Sequence, residues 1–313
     1  MKKLNAKSTI MLFLTALIWG LAFVAQSVGM DYIEPFTFTC VRSIIGGFVL
    51  IPCIWFLNRM DTKNKKTEKK KMTTEEKKQL LIGGICCGLA LGIASNFQQF
   101  GVKYTTVGKA GFITALYIVL VPICGIFLKK KVEARIWISV IIAVVGLYLL
   151  CITESFSIGK GDFLVLLCAF CFTIHILVID YFSPRVVDAV MLSCIQFFTA
   201  GLFSAVFMFL FEHPAVENII AAAGPLLYAG VLSSGVAYTL QVVAQKDADP
   251  TVASLILSLE SVFSVLAGWV ILGQALSVKE LVGCALMFGA IILAQISQRS
   301  VEESKQGCFM KDF

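Results

Sequence analysis

Apolar runs of about twenty residues, each long enough to cross the roughly 30 Å hydrocarbon core of a bilayer as one helix, follow one another along this chain. Short polar breaks separate them, and the pattern predicts ten spans, at about residues 9–30, 35–57, 80–101, 108–128, 136–153, 162–181, 189–211, 224–245, 251–274 and 279–297. The breaks differ in charge. Residues 58–79 carry Arg59, Lys63, Lys65, Lys66, Lys69, Lys70, Lys71, Lys77 and Lys78, and the break after the fourth span carries Lys129, Lys130, Lys131 and Arg135. Basic loops stay in the cytoplasm, so these two are cytoplasmic. The weakly charged break at 154–161 and the one at 212–223, which lacks Lys and Arg, are then external. Ten spans with a cytoplasmic start put both termini inside. The basic start, the apolar run and the AFVA stretch at Ala22–Ala25 share features with a signal peptide. That run has a counterpart in the second half, so it reads as an uncleaved first span. The tail from 298 to 313 is polar and expected to be disordered.

Composition agrees with this pattern. Of 313 residues 58% are hydrophobic and only 15% charged, with a mean hydropathy of +0.87. A soluble domain runs nearer 25% charged. The class is therefore an all-α integral membrane protein, multi-pass, in the cytoplasmic membrane, with the lipid bilayer as its first partner. Its net charge of +6 lies mostly in Lys and Arg between helices, where it sets orientation. A nucleic-acid partner would need a folded basic surface, and none is available. Eleven cysteines, an odd count with ten inside apolar runs, argue against a disulfide framework. Cys168 and Cys171 form a CxxC on a predicted helix, without a thioredoxin-like context, and read as small packing residues.

The ninth span, TVASLILSLESVFSVLAGWVILGQ from Thr251 to Gln274, has one carboxylate, Glu260, near its middle. A carboxylate at that depth costs about 2.5–3.5 kcal/mol, so it faces a bundle interior or a wet cavity. Ser254, Ser261, Ser264 and Gly268 form a stripe of small residues where a neighbouring helix can approach. Glu260 and Ser264, one turn apart, share a second face.

The chain also repeats. A shift of 143 residues lays the third, fourth and fifth spans onto the eighth, ninth and tenth, with Gln98 on Gln241, Ala110 on Ala253, Leu116 on Leu259, Tyr117 on Glu260 and Gly146 on Gly289. A shift of 153 lays the first span on the sixth, Ala16 on Ala169, and the loop after the second span absorbs the difference. The reading is a first repeat at 1–153, including the basic loop 58–79, a second at 154–297, and the tail at 298–313. Five spans per repeat, an odd number, make the second copy enter the membrane upside down. Charge agrees: the loop after the fourth span is basic, whereas its counterpart, Gly273 to Ser277, has no Lys or Arg and only Lys279 beyond it. The expected architecture is ten transmembrane helices as two inverted five-helix repeats. Inverted repeats belong to alternating-access transporters, whose substrate site lies near the midplane between the repeats.

The residues resemble the drug/metabolite transporter superfamily, in its EamA-like branch, over nearly the whole chain. ALIWGLAFVAQSVG at Ala16–Gly29 and EPFTFTCVRSIIGG at Glu34–Gly47 look like that family's Trp-Gly first helix and Pro-to-Arg second helix. ITALYIVLVPICGIFLKKK at Ile113–Lys131 resembles its fourth helix, and SLESVFSVLAGWVILGQALS at Ser258–Ser277 its ninth. One departure is Gln274, where many members carry Glu after Leu-Gly. The resemblance implies a ten-helix carrier for small metabolites, often an exporter of amino acids or related compounds.

The polar groups within the spans are the candidate site. At about 1.5 Å per residue, Arg42 lies about 11 Å and Glu260 about 16 Å below the external surface, so the two can meet. They would form either a fixed ion pair that locks helices or a pair that changes during transport. Glu260 is also the candidate proton-coupling carboxylate, with protons as coupling ion. His175 titrates near neutral pH in water, and its other reading is packing or hydrogen bonding. Gln98 and Gln241 are repeat partners that would line the two mouths of one cavity, or bond between helices. Asn96 and Gln99, and likewise Tyr238 and Gln241, lie three apart on one face, which suits cavity lining. Tyr117 takes the place of Glu260 in the other repeat and is the expected opposite wall. Trp19, Trp55, Trp137 and Trp269 are read as interfacial anchors, and Pro122 as the kink of the fourth span. The leading reading is a secondary transporter of a small organic metabolite, an amino acid among the candidates, since no P-loop supports primary pumping. The alternative is an intramembrane enzyme acting on a lipid or prenyl substrate. It would need clustered carboxylates, a nucleophile or a metal-ligating His pair, and the two histidines, His175 and His213, do not form one. No cofactor and no metal is expected, and the oligomeric state is not legible.

Overall fold

A computed structural model of the chain describes residues 5–63, 72–129, 132–151, 159–272 and 277–309. Every regular element among them is helical. The order is α1 Ala6–Gly29, α2 Pro35–Lys63, α3 Thr74–Tyr104, α4 Val107–Ala115, α5 Tyr117–Phe127, α6 Ala134–Cys151, α7 Lys160–Phe182 and α8 Ala189–Phe211. It continues with α9 Val216–Ala221, α10 Ala223–Leu227, a π-helix at Tyr228–Tyr238, α11 Thr239–Gln245, α12 Pro250–Leu257, α13 Glu260–Leu272 and α14 Val278–Phe309.

Local chemistry fixes the starts. Asn5 caps α1 at Ser8 N, and Thr73 with Glu76 closes a reciprocal capping box on α3. Asp188 accepts from Val190 N and Met191 N at the start of α8. Thr106 caps α4, and Asp249 caps α12 ahead of Pro250, whose missing N–H is no loss in the first turn. At α2 the cap comes from far away in sequence. Glu212, just after α8, accepts from Phe36 N at 2.8 Å and from Thr37 N and Thr37 Oγ1 at 2.7 Å.

Eight helical segments among the described residues are long and apolar enough to cross a membrane, counting α4 with α5, α10 through α11, and α12 with α13 as single segments. The expected fifth span corresponds to α6, whose apolar part, Ala134–Leu149, is shorter, and the expected tenth lies in α14. Large apolar side chains such as Phe127, Phe209, Leu210, Phe211 and Val270 are exposed, while Thr15, Gln99, His175, Gln196 and Ser254 are fully buried. An apolar surface of this extent is a lipid-facing one. In the packing, α3 runs along α7 and α8, α2 along α8 and the π-helix, and α6 along α14, while α1 crosses the π-helix, α11, α12 and α13.

Several details differ from the sequence-based expectations. The ninth span is two helices, broken at Ser258–Leu259. The fourth breaks at Leu116, six residues before Pro122, which sits inside α5. The eighth winds as a π-helix for 11 residues. The polar tail from 298 continues α14 as helix to Phe309. Helices α2 and α3 also extend into the basic stretch 58–79, because polar residues of good helix propensity prolong both ends. Lys65, Lys66, Lys69, Lys70, Lys71, Lys130, Lys131 and Gln274 lie outside the described residues.

Candidate functional site

The two broken helices define the centre of the molecule. After each break the first residue of the next half-helix is polar: Tyr117 opens α5 and Glu260 opens α13. They are 143 residues apart, and the Tyr117 hydroxyl donates to Glu260 Oε1 at 2.9 Å. A carboxylate in the first turn of α13 also meets the positive end of that half-helix. One residue further, Ser261 Oγ donates to the Gly111 carbonyl at 2.9 Å, which ties α13 to α4 as the first bond ties it to α5. Helix α1 closes on the same point. A Cβ on Gly20 would fall 2.5 Å from Phe263 Cβ and 2.8 Å from the Glu260 carbonyl oxygen, so only glycine allows this approach.

A narrow cavity of about 20 Å³ lies beside the Tyr117–Glu260 bond, enough for a water molecule and little more. Trp19 and Gln26 from α1, Arg42 from α2, Gln98 from α3, Ser233 and Tyr238 from the π-helix and Gln241 from α11 line it with the pair. The Trp19 ring packs on Tyr238 at 4.5 Å. The π-helix is held against α1 by Tyr228, whose hydroxyl donates to the Ile18 carbonyl at 3.0 Å, and by Thr15, whose hydroxyl donates to the Ala237 carbonyl at 3.0 Å. Gln98 Nε2 reaches Thr114 Oγ1 at 3.5 Å.

Part of the polar wall is unsatisfied. Arg42 Nε, Trp19 Nε1, Gln26 Oε1 and Gln241 Oε1 are buried without a hydrogen-bond partner among the described residues. Each such group costs about 1–3 kcal/mol, and more where it carries charge. Arg42 is 3% exposed and faces the same cavity as Glu260, 3% exposed, yet no ion pair joins them. The Arg42 guanidinium stands 6.0 Å from the Phe38 ring of its own helix. Depth allowed the two charges to meet; the Tyr117 hydroxyl takes a carboxylate oxygen instead.

Six of the residues read from the sequence are thus brought together: Arg42, Gln98, Tyr117, Tyr238, Gln241 and Glu260. Gln98 and Gln241 both line this one cavity. The other three are buried elsewhere, so their polar faces do not line this cavity. Gln99 Nε2 donates to the Gln26 carbonyl at 3.1 Å. Asn96 Nδ2 donates to Ser204 Oγ and the Gly92 carbonyl, both at 2.8 Å, and borders an apolar groove walled by Phe36, Phe97, Phe100, Phe203 and Phe207. His175 pairs with Gln196 Oε1 at 3.3 Å. Trp19 is a cavity residue, 9% exposed, and not an interfacial anchor. Trp19, Gln26 and Ser233 were missed. For α1 the signal was present, since Trp19, Ala22, Phe23 and Gln26 follow the i, i+3, i+4, i+7 spacing of one helix face; all four line the cavity.

A multi-pass helical fold with a narrow, partly polar cavity beside two interrupted helices defines the class, a helical membrane protein organised around a central site. The chain belongs to the EamA-like transporter family, whose model matches it twice, at residues 6–152 and 159–295. An uncharacterized transporter of Archaeoglobus fulgidus is 32% identical over 286 residues, covering 91% of this chain and 84% of the relative. The uncharacterized transporter YoaV of Bacillus subtilis is 23% identical over 88% of this chain and 92% of its own. A protein of known crystal structure shares the fold with a TM-score of 0.73 at 19% identity, over 95% of this chain and 99% of that one.

Proposed function

We propose that the protein is a secondary transporter of the cytoplasmic membrane that moves small organic metabolites, amino acids among the candidates, by alternating access. The carrying observation is the pair of interrupted helices: two breaks 143 residues apart whose following residues, Tyr117 and Glu260, meet beside the cavity. Discontinuous helices that bring half-helix ends to a midplane site are a device of inverted-repeat transporters. The double match of the family model, once in each half, supports two repeats with boundaries near 153, and α6 with α14 would complete ten membrane helices. The basic segments support cytoplasmic termini.

The cavity is too small for a metabolite, so this arrangement corresponds to a closed state. Opening toward either face requires α1, α2 and the π-helix to part from the broken helices. The π-helix is suited to this because π turns are rare and occur frequently at functional sites. Glu260 is the coupling group in this reading: it carries a proton when the cavity faces one side and releases it on the other. Its chemistry is binding and proton carriage, with no bond made or broken in the substrate.

The test is transport of a labelled metabolite and amino-acid panel into proteoliposomes, with and without a pH gradient, for wild type and Glu260→Gln. Gradient-driven accumulation lost in the variant, with exchange retained, is the expected outcome. Equal gradient-driven transport by both proteins removes Glu260 from coupling, and absence of transport across the panel counts against the transporter reading.

A further inference from the structure

Two groups in the cavity wall have a fixed polarity. An indole Nε1–H donates only, and a guanidinium has five donors and no acceptor. Trp19 Nε1 and Arg42 Nε are both buried and both without a partner among the described residues, in the wall of one small cavity. Rotating an amide could repolarise Gln26 or Gln241, but no rearrangement of Trp19 or Arg42 turns either into an acceptor. Gln26 Oε1 and Gln241 Oε1, the unpartnered acceptors of the same wall, do not bond to either donor, and an acceptor from outside the chain would satisfy both. Glu260, the carboxylate of the same cavity, is engaged by Tyr117, and Arg42 forms no ion pair with it. The guanidinium keeps its charge under all physiological conditions, so the missing acceptor has to answer a charge as well as two N–H groups. Water answers only the latter.

We propose that the transported compound carries a small oxyanion group, a carboxylate or a phosphate, which docks between the Arg42 guanidinium and the Trp19 indole N–H. A planar guanidinium meets two oxygens of such a group at once, leaving the Glu260 side of the cavity for the rest of the molecule. Arg42 is then a specificity residue of the transport site, and the proposal rests on the transport reading above.

The experiment uses the purified full chain, in detergent for binding by thermal shift and in proteoliposomes for transport. Compounds come in trios on one carbon skeleton: the carboxylate, its primary amide and the phosphate monoester of the corresponding alcohol. Wild type is expected to bind at least one oxyanion tenfold or more tightly than the matching amide. The carboxylate and phosphate arms show which oxyanion is preferred. Arg42→Gln should abolish that preference and Arg42→Lys should retain part of it. Trp19→Phe, which keeps an aromatic ring and loses the donor, should weaken oxyanion binding several-fold more than amide binding, and it guards against a misfolded Arg42 variant. Binding of amide and oxyanion alike, or an oxyanion preference unchanged in Arg42→Gln and Trp19→Phe, overturns the proposal. If neutral or cationic compounds are transported in that case, the transport reading stands without it. If no compound is bound or transported, both fall.

Discussion

At the scale of single residues, the centre of this protein rests on one hydrogen bond between two side chains that sequence alone sets 143 positions apart. The Tyr117 hydroxyl is the partner of a carboxylate 3% exposed to the surroundings. Tyr117→Phe removes that donor with almost no change of volume. The expected loss is about 1–2 kcal/mol, above the average of about 0.6 kcal/mol for intramembrane hydrogen bonds because a carboxylate oxygen is left unpaired. A lowered thermal midpoint in detergent is the readout, and an unchanged midpoint would mean the bond does not hold the dominant state. The residues of this pair were legible beforehand, Glu260 because a carboxylate inside an apolar run needs a reason, and Tyr117 through the repeat. Trp19 was misread, because tryptophan in a membrane chain most often anchors at the interface and only packing against Tyr238 at 4.5 Å shows otherwise.

At the scale of elements, helix ends are where sequence and tertiary contact divide the work. Caps such as Asn5, Thr73, Thr106 and Asp249 lie beside the helices they start, and serve by local bonds. The cap of α2 does not: Glu212 comes from the end of α8, 175 residues from Thr37. Glu212→Ala should leave two backbone N–H groups and the Thr37 hydroxyl without their acceptor, lowering stability by about 1–2 kcal/mol, seen as a fall in thermal midpoint that Glu212→Asp only partly avoids. No change would show that water at the membrane face replaces the cap. The breaks in the fourth and ninth spans were equally hidden, since Leu116 and Leu259 are good helix formers, and the proline that did suggest a kink, Pro122, is not the break point. The same holds for the π-helix at Tyr228–Tyr238, whose residues carry no period of their own.

At the scale of the whole molecule, the two halves of the chain meet where α4 lies against α13. A Cβ on Gly111 would stand 4.0 Å from Ser261 Cβ, within the range a disulfide spans, about 3.5–4.5 Å. Gly111→Cys with Ser261→Cys should therefore cross-link under mild oxidation, in a background freed of native cysteines. If these helices shift against each other during transport, the oxidised protein stops transporting and reduction restores it. A cross-linked protein with full activity would place the movement elsewhere, in α1, α2 or the π-helix.

Hydrophobic patterning by itself determined that the chain is helical and that it belongs in a lipid bilayer, because both depend on the length and order of apolar runs. It also singled out most of the polar residues of the cavity, since a polar group costs so much in hydrocarbon that its presence is informative. Only the tertiary structure decided which of these residues share a cavity. Periodicity gives the face of a helix but not the neighbour that face meets. Arg42 and Glu260 line one cavity, and the packed helices nonetheless leave Glu260 with Tyr117 and Arg42 Nε without a partner among the described residues.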